Sequence, residues 1–226
     1  RYKNTTQDGV NYSLNASYNY DKNPIINLDW RNSSGDLLLL NESAPGAVKY
    51  TLTSLDGNTE YGGDAGRYAN LRFTQTVERA KNLGGSFDMA IETEGLGAVV
   101  LRGEALYQKD VYSPVMDKAY LKVGNLVDSL SMVKGDRFKY VLGADITALT
   151  NMMVSAQFIQ DRNLDFIDTT TTVGSTTGNR YTADYATMHM TNGFNKAEKD
   201  KNFYSLFFSK PFGASGEHRW NNIFMF

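Results

Sequence analysis

Residues 10–20 read VNYSLNASYNY, and this stretch decides the fold. Val10, Tyr12, Leu14, Ala16, Tyr18 and Tyr20 fall in one phase of a two-residue period, while Asn11, Ser13, Asn15, Ser17 and Asn19 fall in the other. Side chains alternate between faces along a β-strand, so the unbroken pattern predicts a strand with one oily and one polar face. A helix would scatter the same residues around its circumference. The length matches the 9–11 residues or so with which a tilted strand crosses the hydrocarbon layer of a membrane.

The pattern recurs along the chain. Ala69, Leu71, Phe73 and Val77 share a phase, as do Phe87, Met89 and Ile91, and Val99, Leu101, Gly103, Ala105 and Tyr107. Further on, Phe138, Tyr140, Leu142, Ala144 and Ile146 form one set, followed by Val154, Ala156 and Phe158, then Tyr204, Leu206, Phe208 and Phe212, with Trp220, Phe224 and Phe226 last. Turn chemistry stands between several of these segments, at Asn82–Gly85, Gly95–Gly97, Thr150–Asn151 and Gly213–Gly216, because Gly and Asn tolerate positive φ. Three other connections are long and polar, over roughly 21–66, 110–135 and 161–202. The first has room for a hairpin near Val48–Leu55, and Met116–Val133 for a short helix or an inward-folded loop. Short turns at one rim and long loops at the other are the anatomy of an outer-membrane barrel.

Bulk properties narrow the class. A net charge of −2 with no Lys/Arg block lacks the electrostatic footprint of a nucleic-acid binder. With no cysteine and two histidines, disulfides and thiolate sites are excluded and a His-based metal site has little to draw on. Fourteen Tyr and 12 Phe against 4 Pro is a β composition, and aromatics near segment ends suit interfacial girdles. The mean hydropathy of −0.42 is that of a soluble chain, but in a barrel only alternate residues meet lipid and the average hides them. A soluble sandwich or lipocalin-like barrel would show the same alternation with its oily face inward, so that alternative stays open here.

Three stretches, VNYSLNASYNYDKNPIINLDW (10–30), FKYVLGADITALTNMMVSAQFIQD (138–161) and HRWNNIFMF (218–226), resemble pieces of a proteobacterial outer-membrane family of unknown function. The middle stretch carries most of the resemblance, with Gly143-Ala-Asp145 ending one strand and Gln157-Phe158 near the end of the next. The resemblance implies a large, porin-like barrel with long loops in the bacterial outer membrane. It also implies that these 226 residues are a portion of such a barrel. The aromatic Phe226 on an alternating last strand points the other way, toward a true C-terminus. No catalytic residue comes with the resemblance.

The fold expectation is therefore all-β: one antiparallel transmembrane β-barrel domain over residues 1–226, whole or as part of a larger barrel. Leu14, Leu71, Phe73, Phe87, Leu101, Leu142, Phe158 and Leu206 are expected to face lipid. Asp88, Glu92, Arg102, Glu104, Lys139 and Asp145 are expected to line a wet lumen. The catalytic candidates are His189 with Asp184, His218, and the set Asp161, Asp165 and Asp168, none of which forms a recognisable triad. Asp56-Gly-Asn58-Thr-Glu60 starts like a calcium loop, but Tyr61 stands where the sixth-position Gly belongs. The expectation is a non-enzymatic barrel without cofactor or metal that passes solutes or lipophilic compounds. The alternative is a structural barrel, a subunit of a membrane complex, whose long loops bind partner subunits.

Overall fold

The computed structural model describes residues 1–42, 50–62, 66–148, 150–185 and 194–226. In chain order the strands are β1 (Tyr2–Thr5), β2 (Asn11–Tyr20), β3 (Ile25–Arg31), β4 (Leu37–Glu42), β5 (Tyr50–Thr53), β6 (Glu60–Tyr61), β7 (Asn70–Thr76), β8 (Arg79–Thr93) and β9 (Gly97–Asp117). Two short helices, α1 (Lys118–Lys122) and α2 (Leu126–Ser129), precede β10 (Leu130–Ala148), β11 (Met152–Asn163), β12 (Asp168–Val173), β13 (Thr176–Thr182), β14 (Asp200–Phe212) and β15 (His218–Met225).

Eight strands run in one path, β1-β2-β8-β9-β10-β11-β14-β15, each antiparallel to its neighbour. The sheet is open: β1 and β15 are its edges and do not pair with each other. The register brings the alternating residues into phase. One row across the strands reads Asn4, Tyr12, Phe87, Gly103, Leu142, Phe158 and Tyr204. The neighbouring row on the same face contains Met89, Leu101, Ala144, Ala156, Leu206 and Phe224. A one-residue slip of any strand would throw its oily side to the other face, which is why this pattern specifies register so strongly.

All four tight connections, β1–β2, β8–β9, β10–β11 and β14–β15, lie on one rim of this sheet. The three long ones leave from the opposite rim, as the sequence predicts, but they are not loops. The first builds a second sheet, ordered β6-β5-β4-β3-β7. The second carries β9 and β10 beyond the main sheet and turns between them through α1 and α2. The third forms the β12–β13 hairpin, whose β13 pairs with the upper end of β9. Together they make a cap. Leu71 and Phe73 belong to this cap rather than to the main sheet, paired on β7 with Trp30 and Leu28 of β3. Of the expected hairpin near Val48–Leu55, β5 is present and Val48 lies outside the described residues.

The expected turn at Asn82–Gly85 is absent, because these residues run through the middle of β8. Neither glycine adopts positive φ. What they provide is room: a Cβ on Gly84 would sit 3.2 Å from the Ala105 carbonyl oxygen, and one on Gly85 3.2 Å from that of Ser13. Glycine inside a strand marks close backbone approach as readily as it marks a turn.

The apolar core sits in the cap. Met116, Leu130, Tyr181 and Ala183 bury one another with Leu28 and Phe194 against them; a second cluster joins Ala119, Val123 and Val173. Asp117 caps α1 by accepting from Ala119 N–H at 3.0 Å, and Asn125 caps α2 by accepting from Asp128 N–H at 3.0 Å. Asp29 on β3 is clamped by Arg31 at 3.0 Å and Arg72 at 2.8 Å, and the Arg31 hydrogen bond holds its carboxyl below the usual range.

Tyr185 joins two connections across the cap by donating its hydroxyl to the Pro24 carbonyl at 2.7 Å. Burial pushes its phenol up to about 12. A raised phenol favours the protonated, folded state. Its stabilisation is therefore complete below the unfolded value near 10 and is lost as pH rises toward 12. Tyr185→Phe is expected to cost about 1 kcal/mol at neutral pH through the lost hydrogen bond. It should also shrink the alkaline loss of stability, which urea unfolding at neutral and alkaline pH will read.

Candidate functional site

The two faces of the main sheet differ sharply. Leu14, Phe87, Leu101, Leu142, Phe158 and Leu206 stand on one of them, and nothing among the described residues covers it. Leu14 is 56% exposed, Leu142 50% and Leu206 37%. Aromatic rings tile this face, with Tyr140–Phe158 centroids 5.8 Å apart and Phe158–Tyr204 5.1 Å apart.

Asp88, Glu92, Arg102, Glu104, Lys139 and Asp145 all stand on the opposite face, which is concave and hydrogen-bonded across strands. Arg102 pairs with Asp145 at 2.6 Å and donates to Ser155 at 3.3 Å. Asn11 donates to Asp88 at 2.8 Å. Ser13 and Ser86 share a hydrogen bond of 2.8 Å, Gln108 donates to Asn82 at 2.9 Å, and Asn82 to Asn19 at 2.8 Å. These bonds cross the strands and leave a trough of about 590 Å³ along the sheet.

Within that trough the polarity changes. One cross-strand row places Val141, Ile159 and Phe203 side by side. The next row toward the cap places Lys139, Asp161 and Lys201 side by side. Asp161 is held by Lys139 at 3.2 Å and by Arg137 at 3.5 Å. The sequence reading missed Arg137, Val141, Ile159 and Phe203, and Asp161 entered it only as a weak catalytic candidate. The missed signal was the run of apolar residues in the polar phase: Val141, Ile159 and Phe203 break the alternation of three successive strands at matching heights.

Of the catalytic candidates, Asp161 and Asp184 line one cavity together with Arg137 and Lys201, and among the described residues its lining contains no histidine. Asp184 pairs with Lys201 at 3.5 Å, Asp165 accepts from Asp136 N–H at 2.7 Å, and Asp168 pairs with Lys196. His218 lies at the foot of β15 with its ring 5.3 Å from that of Phe212, at the rim away from the cap. His189 lies outside the described residues. The Asp56 carboxylate closes its own turn, accepting from the Ser54 hydroxyl and from Asn58 N–H at 3.1 Å. Those donors, Ser54 first, hold its carboxyl below the ordinary range.

No protein family, curated protein or solved structure matches this chain, so the resemblance to an outer-membrane family rests on the three quoted stretches themselves.

Proposed function

We propose that the main sheet is the wall of a transport-type β-barrel in the bacterial outer membrane, its concave face bordering water and its outer face lipid. The observation that carries this reading is the uncovered apolar face, which continues across all eight strands while the opposite face carries the charged residues and the cross-strand side-chain hydrogen bonds. A contiguous apolar patch of that extent calls for a lipid or protein surface against it. The 10 residues of β2, 12 of β11 and 13 of β14 are long enough to cross the hydrocarbon layer.

Lipid offers no hydrogen bonds, so a spanning sheet needs its edges paired. The strand directions favour closure of β1 on β15, since eight alternating strands leave these two antiparallel. So does the slant of the sheet. The row through Asn4, one residue from the foot of β1, reaches Tyr204 and its partner Phe226, eight residues above His218 at the foot of β15. Tilt and stagger of that size go with a small barrel. Closure would bring the foot of β1 against the foot of β15. A Lys3→Cys, Arg219→Cys pair is expected to cross-link through a short bismaleimide after insertion into vesicles, and not in urea. An inserted protein in which the pair stays unlinked would rule out closure by these edges.

The cap stands over the mouth from which the long connections leave, where it would restrict access to the lumen. The functional test is liposome swelling and single-channel conductance of the purified, inserted protein. Flux of ions or small solutes is the expected result; a correctly inserted barrel that passes neither would overturn the transport reading.

A further inference from the structure

The trough's mixed lining points to a class of ligand, an inference that rests on the reading of the concave face as a lumen. A lumen that served only to conduct water and ions has no use for three large apolar side chains in one row. Val141, Ile159 and Phe203 nonetheless sit side by side on β10, β11 and β14, with Phe203 41% exposed. On the cap side this row is bordered by Lys139 and Arg137, two cations that share one carboxylate. Among the described residues, one carboxylate, that of Asp161, answers both Lys139 at 3.2 Å and Arg137 at 3.5 Å. Lys201 is answered separately, by Asp184 at 3.5 Å. The Arg137 Nε is moreover buried without a hydrogen-bond partner among the described residues. Glu104 stands at the β9 end of the apolar row, beside Ser86 on β8, and repels an anion from that side.

We propose that this trough binds a single-chain amphiphile with one anionic head, its hydrocarbon body lying on Val141, Ile159 and Phe203 and its head against Lys139 and Arg137. Apolar contact supplies most of the affinity, as in other ligand pockets, and the few polar groups fix orientation. The head belongs at Lys139 because a carboxylate there gains charge-assisted hydrogen bonds, whereas at Glu104 it would meet like charge. The order of the rows thus sets a direction: the head of the bound molecule faces the cap and its tail faces the short-turn rim.

The test uses the whole chain, folded and held in amphipol so that detergent micelles do not compete, with cis-parinaric acid as the probe and its methyl ester as the uncharged control. Saturable fluorescence enhancement at one acid per chain, displaced by lauric acid, is expected, with the ester bound about tenfold more weakly. Lys139→Gln should weaken the acid about tenfold and leave the ester unchanged, while Ile159→Asn should weaken both. Absence of saturable acid binding would overturn the proposal. Equal affinity for acid and ester, or an acid affinity unmoved by Lys139→Gln, would overturn the placement of the head. Vesicle insertion of the same preparation is scored separately. Insertion without binding sinks this inference alone, and binding without insertion sinks the membrane reading alone.

Discussion

Leu142→Arg is expected to destabilise the folded protein in lipid vesicles by about 2–4 kcal/mol, the cost of a cation where the proposed barrel would meet the middle of a bilayer. Leu142 sits in the central row of the apolar face, between Gly103 on β9 and Phe158 on β11, and is half exposed. Exposure makes the experiment decisive. Were this face bathed in water, a half-exposed leucine could become arginine for less than about 0.5 kcal/mol. Gln157→Arg, on the neighbouring position of the opposite face, is the control and should cost close to nothing. Urea-driven unfolding from vesicles, with wild type and both variants side by side, reads all three. Near-equal stabilities for Leu142→Arg and Gln157→Arg would remove the membrane assignment.

Gly178→Ala addresses the cap, and its expected loss is about 3 kcal/mol, at the upper end of the usual range for overpacking. The Cβ would land 2.2 Å from the backbone nitrogen of Ala119 and 2.5 Å from the carbonyl carbon of Lys118. Both atoms are main chain, so no side chain can swing aside. β13 would have to part from α1, and the cluster of Ala119, Val123 and Val173 would open with it. The two tryptophans separate the regions, since Trp30 lies in the cap on β3 and Trp220 in the main sheet on β15. In a Trp220→Phe background, the Trp30 fluorescence transition should move to markedly lower urea. In a Trp30→Phe background, the Trp220 transition should move far less. Equal shifts of both would mean that cap and sheet unfold as one unit.

Much of the main sheet was legible in the sequence because its alternation answers to a single rule. Where one face of a strand meets water and the other does not, the residues must take turns, and Val10 to Tyr20 does so without exception. The six charged positions fell together on one face of the main sheet and six of the eight oily ones on the other. Leu71 and Phe73 did not, because a strand in the small second sheet alternates by the same rule for a different reason: it packs within the cap. The Thr-rich β12–β13 hairpin was illegible as strand. Its segments DTTTTV and TTGNRYT carry little apolar alternation, and cross-strand pairs such as Thr172–Thr177 at 3.2 Å hold it instead. The trough was hidden for another reason. Val141, Ile159 and Phe203 are far apart in sequence, and each looks like an isolated lapse until the register aligns them.

The continuity of β9 and β10 has a mechanical consequence. These two strands are 21 and 19 residues long, pair with each other through both the sheet and the cap, and are interrupted only by the register shift between Gly135 and Arg137. A structure joined by so long a two-stranded beam has no soft joint about which the upper part could swing aside as a whole. Force applied to the cap would pass down the beam as shear along its hydrogen bonds, loading the main sheet directly. Any rearrangement of the cap must then come from the segments flanking that beam, with the beam itself as the fixed post.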